Sequence, residues 1–115
     1  MRQFNVAIIG GGTVGGGVYQ ALRRNGSLMA ARIGARLRVN YVTVRNRRKA
    51  RSVKFAPRVL GTDWRAAISD PKTDLVVELI GGTTTAKTVV ETALRLGKPV
   101  ITANKALLSE HGEAL

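Results

Sequence analysis

Three glycines, at positions 10, 12 and 15, carry the first sign of chemistry in the sequence. The run Gly10-Gly11-Gly12-Thr13-Val14-Gly15 follows the apolar stretch Val6-Ala7-Ile8-Ile9 and opens a segment with helical spacing. A strand, this glycine spacing and a helix together make a turn suited to a dinucleotide. Gly10 permits a tight turn, Gly12 lets the main chain approach a pyrophosphate, and Gly15 lets the helix pack close to the strand. The free amides and positive dipole end of the helix then favour the phosphates. The plain alternative is a glycine-rich turn that serves structure alone.

A second set of residues lies where a second strand ends. An NAD-binding domain usually offers an acid there to the ribose 2′-hydroxyl. Here Arg45 follows Val44 directly, with Arg47, Arg48 and Lys49 close behind. Guanidinium groups in that position suit a 2′-phosphate, so NADP(H) is expected in preference to NAD(H). The competing reading is a solvated basic loop. Glu78 interrupts an apolar strand; burying a lone carboxylate is costly, so it needs a partner or must hold its proton, and a structural hydrogen-bonding role is expected. His111 has no second histidine or metal-ligand spacing near it, so no metal site is expected. The chain has no cysteine, which removes disulfides and thiol nucleophiles and fits a reducing, cytoplasmic setting.

These residues must be positioned by elements that the periodicity outlines. Val6-Ile9, Leu37-Val44, Leu75-Ile80 and Pro99-Thr102 read as strands. Thr13 to Arg24 reads as a helix with Val14, Val18 and Leu22 at four-residue intervals, stopped by Asn25-Gly26. Ser27 to Gly34 is ambiguous. Thr62 or Asp63 can cap a short helix carrying Trp64, Ala67 and Ile68, with Trp64 expected in the core, and Asp70-Pro71 breaks it. One of Thr83, Thr84 and Thr85 can cap the next helix, whose stripe is Val89, Val90, Ala93, Leu94 and Leu96 before Gly97. Asn104 caps a last helix. Strands separated by helices imply a doubly wound α/β domain with a parallel sheet, and residues 1–115 are expected to form one domain. Ligands in such sheets sit beyond the carboxyl ends of the strands.

The formal net charge is +12, and residues 1–62 hold thirteen Arg or Lys with no Asp or Glu. That asymmetry motivates a nucleic-acid-binding alternative, although the basic run has only Phe55 beside it on which a base could stack. No signal-peptide region or long apolar run suggests a membrane.

Four segments occur in order: Gly10-Gly11-Gly12-Thr13-Val14-Gly15, Val44-Arg45, Val76-Val77-Glu78-Leu79-Ile80-Gly81-Gly82, and Thr102-Ala103-Asn104-Lys105-Ala106-Leu107-Leu108. The set resembles the N-terminal domain of homoserine dehydrogenase over essentially the whole chain. The resemblance implies a Rossmann-type domain, incomplete at its C-terminus, from an enzyme that interconverts L-homoserine and L-aspartate 4-semialdehyde. It implies a role in threonine, methionine and isoleucine biosynthesis, and a homodimer for the complete enzyme. It places Gly11, Thr13 and Val14 along the pyrophosphate, Arg45 on the adenosine side, Gly82 and Thr83 near the nicotinamide, and Lys105 beside nicotinamide and substrate. Lys105 also suits the proton that must accompany hydride transfer; its competing reading is a surface lysine in a first helical turn, where the dipole opposes a cation.

In the family, the homoserine-binding acids and the lysine usually assigned the proton transfer follow beyond this chain. The chain alone is therefore expected to bind cofactor without turnover, and to associate through surfaces that later elements would cover. A dinucleotide sensor without chemistry of its own is the other alternative.

Overall fold

The computed structural model describes residues 2–10, 13–24, 34–45, 55–80 and 84–102. Among them, five parallel strands form one sheet in the order β3-β2-β1-β4-β5. The strands are β1 (Arg2–Ile9), β2 (Ala35–Thr43), β3 (Leu60–Gly61), β4 (Leu75–Glu78) and β5 (Val100–Thr102). Three helices are described: α1 (Thr13–Arg24), α2 (Trp64–Ser69) and α3 (Thr84–Arg95). The sequence reading did not anticipate β3, whose two residues are too few to show a period.

Alternation along β1 decides how the layers pack. Val6 and Ile8 face one side with Tyr19 of α1, Val42, Val77, Phe55 and Val59. Ala7 and Ile9 face the other with Ala67 and Ile68 of α2, Val76, and Val89 and Ala93 of α3. The sheet is therefore covered on both faces, as the apolar strands require. A bulge at Asn40 keeps β2 in step with this division. Val6 pairs with Val39 but Ala7 pairs with Tyr41, so Asn40 is the extra residue. Val39 then packs on the α1 side and Tyr41, two residues later, on the α2 and α3 side.

The helix stripes differ from the expected ones in identifiable ways. The buried face of α1 is Gly15, Gly16 and Tyr19, with Val18 and Leu22 only half-buried. Glycines bring the helix close to the sheet, and a hydrophobicity pattern does not mark them. In α3, Ala86, Val89, Val90 and Ala93 are buried at helical spacing, whereas Leu94 and Leu96 are 45% and 49% exposed. Leu94 lies about 100° around the helix from Ala93, and Leu96 follows the last helical residue. Trp64 is half-buried at the rim of its cluster, with Arg65 stacked on its ring at 4.5 Å. Ile101 is 56% exposed, because it alternates with Val100 onto the side of the sheet opposite α3.

Helix ends follow their local chemistry. Asp63 caps α2 by accepting from the Ala66 amide, and the helix stops at Ser69 before Asp70-Pro71. Gly97, at φ +74°, ends the turn after α3. The Asn25-Gly26 stop and the ambiguous run up to Ile33 lie outside the described residues. Pro99 needs no amide partner at the start of β5, while its carbonyl accepts from Val76 N–H at 3.0 Å. No helix among the described residues is long and apolar enough to cross a membrane.

A polar tie joins β2 to the C-terminus of α2. The Tyr41 hydroxyl donates to Asp70 at 2.6 Å, and Lys98 Nζ donates to the Ile68 and Asp70 carbonyls. The Tyr41 hydrogen bond, then the Lys72 amide, hold the Asp70 carboxyl below its ordinary range; Asp70 in turn raises the Tyr41 hydroxyl. The folded chain binds the Asp70 proton more weakly than the unfolded chain. This contribution is complete above the usual carboxylate range and is lost as pH falls through the depressed value. The Tyr41 contribution is complete below about 10 and is lost as pH rises through the raised value. Tyr41→Phe should lower the urea midpoint at neutral pH, with the deficit shrinking at both extremes. A deficit independent of pH would assign the loss to packing instead.

Candidate functional site

The carboxyl ends of the strands are level. Ile9 pairs with Thr43 and with Glu78, Thr43 pairs with Gly61, and Glu78 pairs with Thr102. Everything that follows these residues therefore leaves the sheet at one edge, where β1 connects to one side and β4 to the other, the place at which such sheets take their ligands. Three main-chain bonds extend the ladder past the row: Gly10 N–H to the Thr43 carbonyl, Leu79 N–H to Ile9 and Val44 N–H to Gly61, each 2.9 Å. Val44 is thus still held by its neighbour although the regular strand ends at Thr43.

Gly10 is closely approached at this edge. Its φ is +106°, and a Cβ there would stand 2.9 Å from the Leu79 carbonyl carbon and oxygen. Only glycine fits both the conformation and the approach. Gly15 meets the same turn from the helix side. A Cβ on Gly15 would lie 2.0 Å from the Gly10 carbonyl oxygen and 3.7 Å from Ile8 Cγ2. The first turn of α1 is therefore pressed onto the end of β1. Helix α1 has no acid in its first turn and has Arg23 and Arg24 in its last, an order that suits an anion at the N-terminus. This close approach, with no side chain at Gly10 or Gly15, fits the pyrophosphate of a dinucleotide. The main chain of Thr13 and Val14 forms the start of α1, while Gly11 and Gly12 lie outside the described residues.

Arg45 is exposed at the same edge, two residues beyond Thr43. Arg47, with the rest of the basic run from Asn46 to Lys54, lies outside the described residues. Beyond that run, the ring of Phe55 meets Tyr19 of α1 edge-on at 4.9 Å between centroids. The Tyr19 hydroxyl accepts from the Ala56 amide at 3.2 Å and from Arg23 Nη1 at 3.1 Å. Tyr19 was missed by the sequence reading, although its place four residues after Gly15 puts it on the sheet-facing side of α1.

Glu78 is fully buried at the end of β4. Its Oε1 accepts from the Ile80 amide at 2.7 Å, and its Oε2 accepts from the Thr102 hydroxyl. The expected partner thus exists, and it explains why β4 stops at Glu78 rather than Ile80: the Ile80 amide bonds its own chain's carboxylate. Gly82, Thr83, Asn104, Lys105 and His111 lie outside the described residues.

A family model described as "Homoserine dehydrogenase, NAD binding domain" matches residues 10–115. The homoserine dehydrogenase of Methylobacillus glycogenes is 45% identical over 109 residues, covering 95% of this chain and 26% of the relative. That of Pseudomonas aeruginosa is 38% identical over 115 residues, covering all of this chain and 26% of the relative. A solved homoserine dehydrogenase from Thiobacillus denitrificans superposes with a TM-score of 0.91 at 40% identity, over 99% of this chain and 26% of that one. The Staphylococcus aureus enzyme at pH 6.0 gives 0.90 at 32% identity, over 100% of this chain and 30% of that one. The chain therefore spans about a quarter of the length of these relatives.

Two glycine substitutions separate close packing from helix propensity. Gly17 is exposed in α1, and a Cβ placed on it would meet nothing within 4 Å, so Gly17→Ala should stabilise by about 0.5–1 kcal/mol. Gly15→Ala should destabilise by about 1–3 kcal/mol, because backbone must yield. Chemical denaturation of both variants checks the pair, and equal effects would refute the close approach.

Proposed function

The chain belongs to the homoserine dehydrogenase family as its NAD-binding domain, and from that premise we propose that it binds NADP(H) in preference to NAD(H) for the interconversion of L-homoserine and L-aspartate 4-semialdehyde. The Gly10–Gly15 contact at the level strand ends is the observation that carries the reading, since it seats the first turn of α1 against the end of β1 with no room for a Cβ at either glycine. Gly10, Gly11, Gly12, Thr13, Val14 and Gly15 form the pyrophosphate turn in this proposal. Arg45, with Arg47, meets the adenosine 2′-phosphate through charge-assisted hydrogen bonds. Gly82 and Thr83 border the nicotinamide, and Lys105 stands beside nicotinamide and substrate, where an ammonium can stabilise or protonate a developing alkoxide.

When bound, the nicotinamide supplies the hydride chemistry. The chain's own part is to bind and orient it. Residues 1–115 act as one cofactor domain; the substrate acids, the family's proton-transfer lysine and the homodimer contacts belong to the longer enzyme. The proposed setting is cytoplasmic, in threonine, methionine and isoleucine biosynthesis.

Fluorescence titration with NADPH and NADH at matched salt, repeated with Arg45→Ala, tests the adenosine end. A charge-assisted contact contributes about 1.5–3 kcal/mol, so a preference for NADPH of roughly tenfold or more should shrink in the variant. Equal affinity for both cofactors in the unsubstituted protein would make Arg45 an ordinary surface cation.

A further inference from the structure

A carboxylate with no exposure in an apolar strand is costly, and a leucine or valine would complete β4 without that cost. Glu78 instead bonds two strand exits at once. One oxygen holds the Ile80 amide, two residues along its own chain, and the other holds the hydroxyl of Thr102, its register partner on β5. We propose that Glu78 is the positioning residue of the nicotinamide end, fixing Ile80 and Thr102 as the two points from which the chain departs toward Thr83 and Lys105. This rests on the dinucleotide reading above and adds to it a residue that touches neither cofactor nor substrate.

Reach gives the proposal its force. Thr83 and Lys105 each follow their anchor by three residues, so each Cα lies within about 11 Å of it. Displacing either anchor therefore displaces the groups beyond it. The adenosine end has separate anchors, the Gly10 amide on Thr43 and the Val44 amide on Gly61. Loosening Glu78 should accordingly weaken the two halves of a dinucleotide unequally, which a general loss of stability would not do.

The test compares NADPH with 2′-phospho-ADP-ribose, which keeps the adenosine half and lacks the nicotinamide, with folding followed by circular dichroism. Glu78→Leu should weaken NADPH binding about tenfold and leave 2′-phospho-ADP-ribose within about twofold. Glu78→Gln keeps an oxygen for Ile80 and an amide for Thr102, and should recover most of the loss. Thr102→Val removes only the β5 half of the link and should show the same selectivity at a few-fold, which decides the matter if Glu78→Leu does not fold. Equal losses for both ligands, or NADPH binding unchanged in the variants that fold, would overturn the proposal. Failure of the unsubstituted protein to bind either ligand would overturn the dinucleotide reading and this inference together.

Discussion

The passage of the Gly10 main chain across the end of β4 is the contact on which this edge of the molecule depends. A Cβ at that position would overlap the Leu79 carbonyl, and one at Gly15 would overlap Gly10 itself. Three chain segments thus meet with no side chain between them. The consequence is that the first turn of α1 is pressed against the end of β1. Residues that fill space would make the same elements pack further apart. The glycines contribute little stability of their own and much geometry.

The level row of strand ends depends on a compensation elsewhere in the sheet. In a regular strand, with no bulge at Asn40, a β2 that placed Val39 on the α1 side would place Tyr41 there as well. The bulge turns Tyr41 to the opposite face, where it reaches Asp70, and returns Val42 to the α1 side. Asn40 donates to Thr73, whose hydroxyl in turn donates to the Ala67 carbonyl. The irregularity is therefore tied into the connection between α2 and β4, so that Ile9, Thr43 and Glu78 finish together.

How much of this could be read from the residues depended on the range of the forces involved. Apolar runs, glycine spacing and helix stops are local, and they placed four strands, three helices and the doubly wound order from the sequence alone. Asp63, Asp70-Pro71 and Gly97 acted where their own chemistry put them. Long-range pairing was not legible in the same way. Glu78 demanded a partner, but only the β4–β5 register identifies Thr102 as that partner. The Asn40 bulge and the two-residue β3 leave no periodic trace. Tyr19 was missed because Val14, Val18 and Leu22 offered a more hydrophobic stripe, whereas close helix packing selected the face with Gly15 and Gly16. Arg45, Gly10 and Gly15 stand out in the sequence because their types are unusual at strand ends; Gly11, Gly12, Arg47, Gly82, Thr83 and Lys105 lie outside the described residues.

The charge asymmetry follows from the same geometry. Residues 1–62 hold thirteen cations, and the described ones are not drawn into one stripe. Arg45 stands at the carboxyl edge, while Arg36 and Arg38 lie on the amino half of β2 and Arg23 and Arg24 end α1, which runs back toward the amino edge; all five are exposed. A track for duplex nucleic acid needs cations spaced along one surface to meet successive phosphates. The five named cations stand at both ends of the sheet, and the net charge of +12 gives the chain a positive field. Such a field increases the encounter rate of any small polyanion, and it falls off over about 8 Å at physiological salt. In the proposed reading a dinucleotide drawn in this way is then held at the turn from Gly10 to Gly15, so that net charge and a local anion site act in succession on the same ligand.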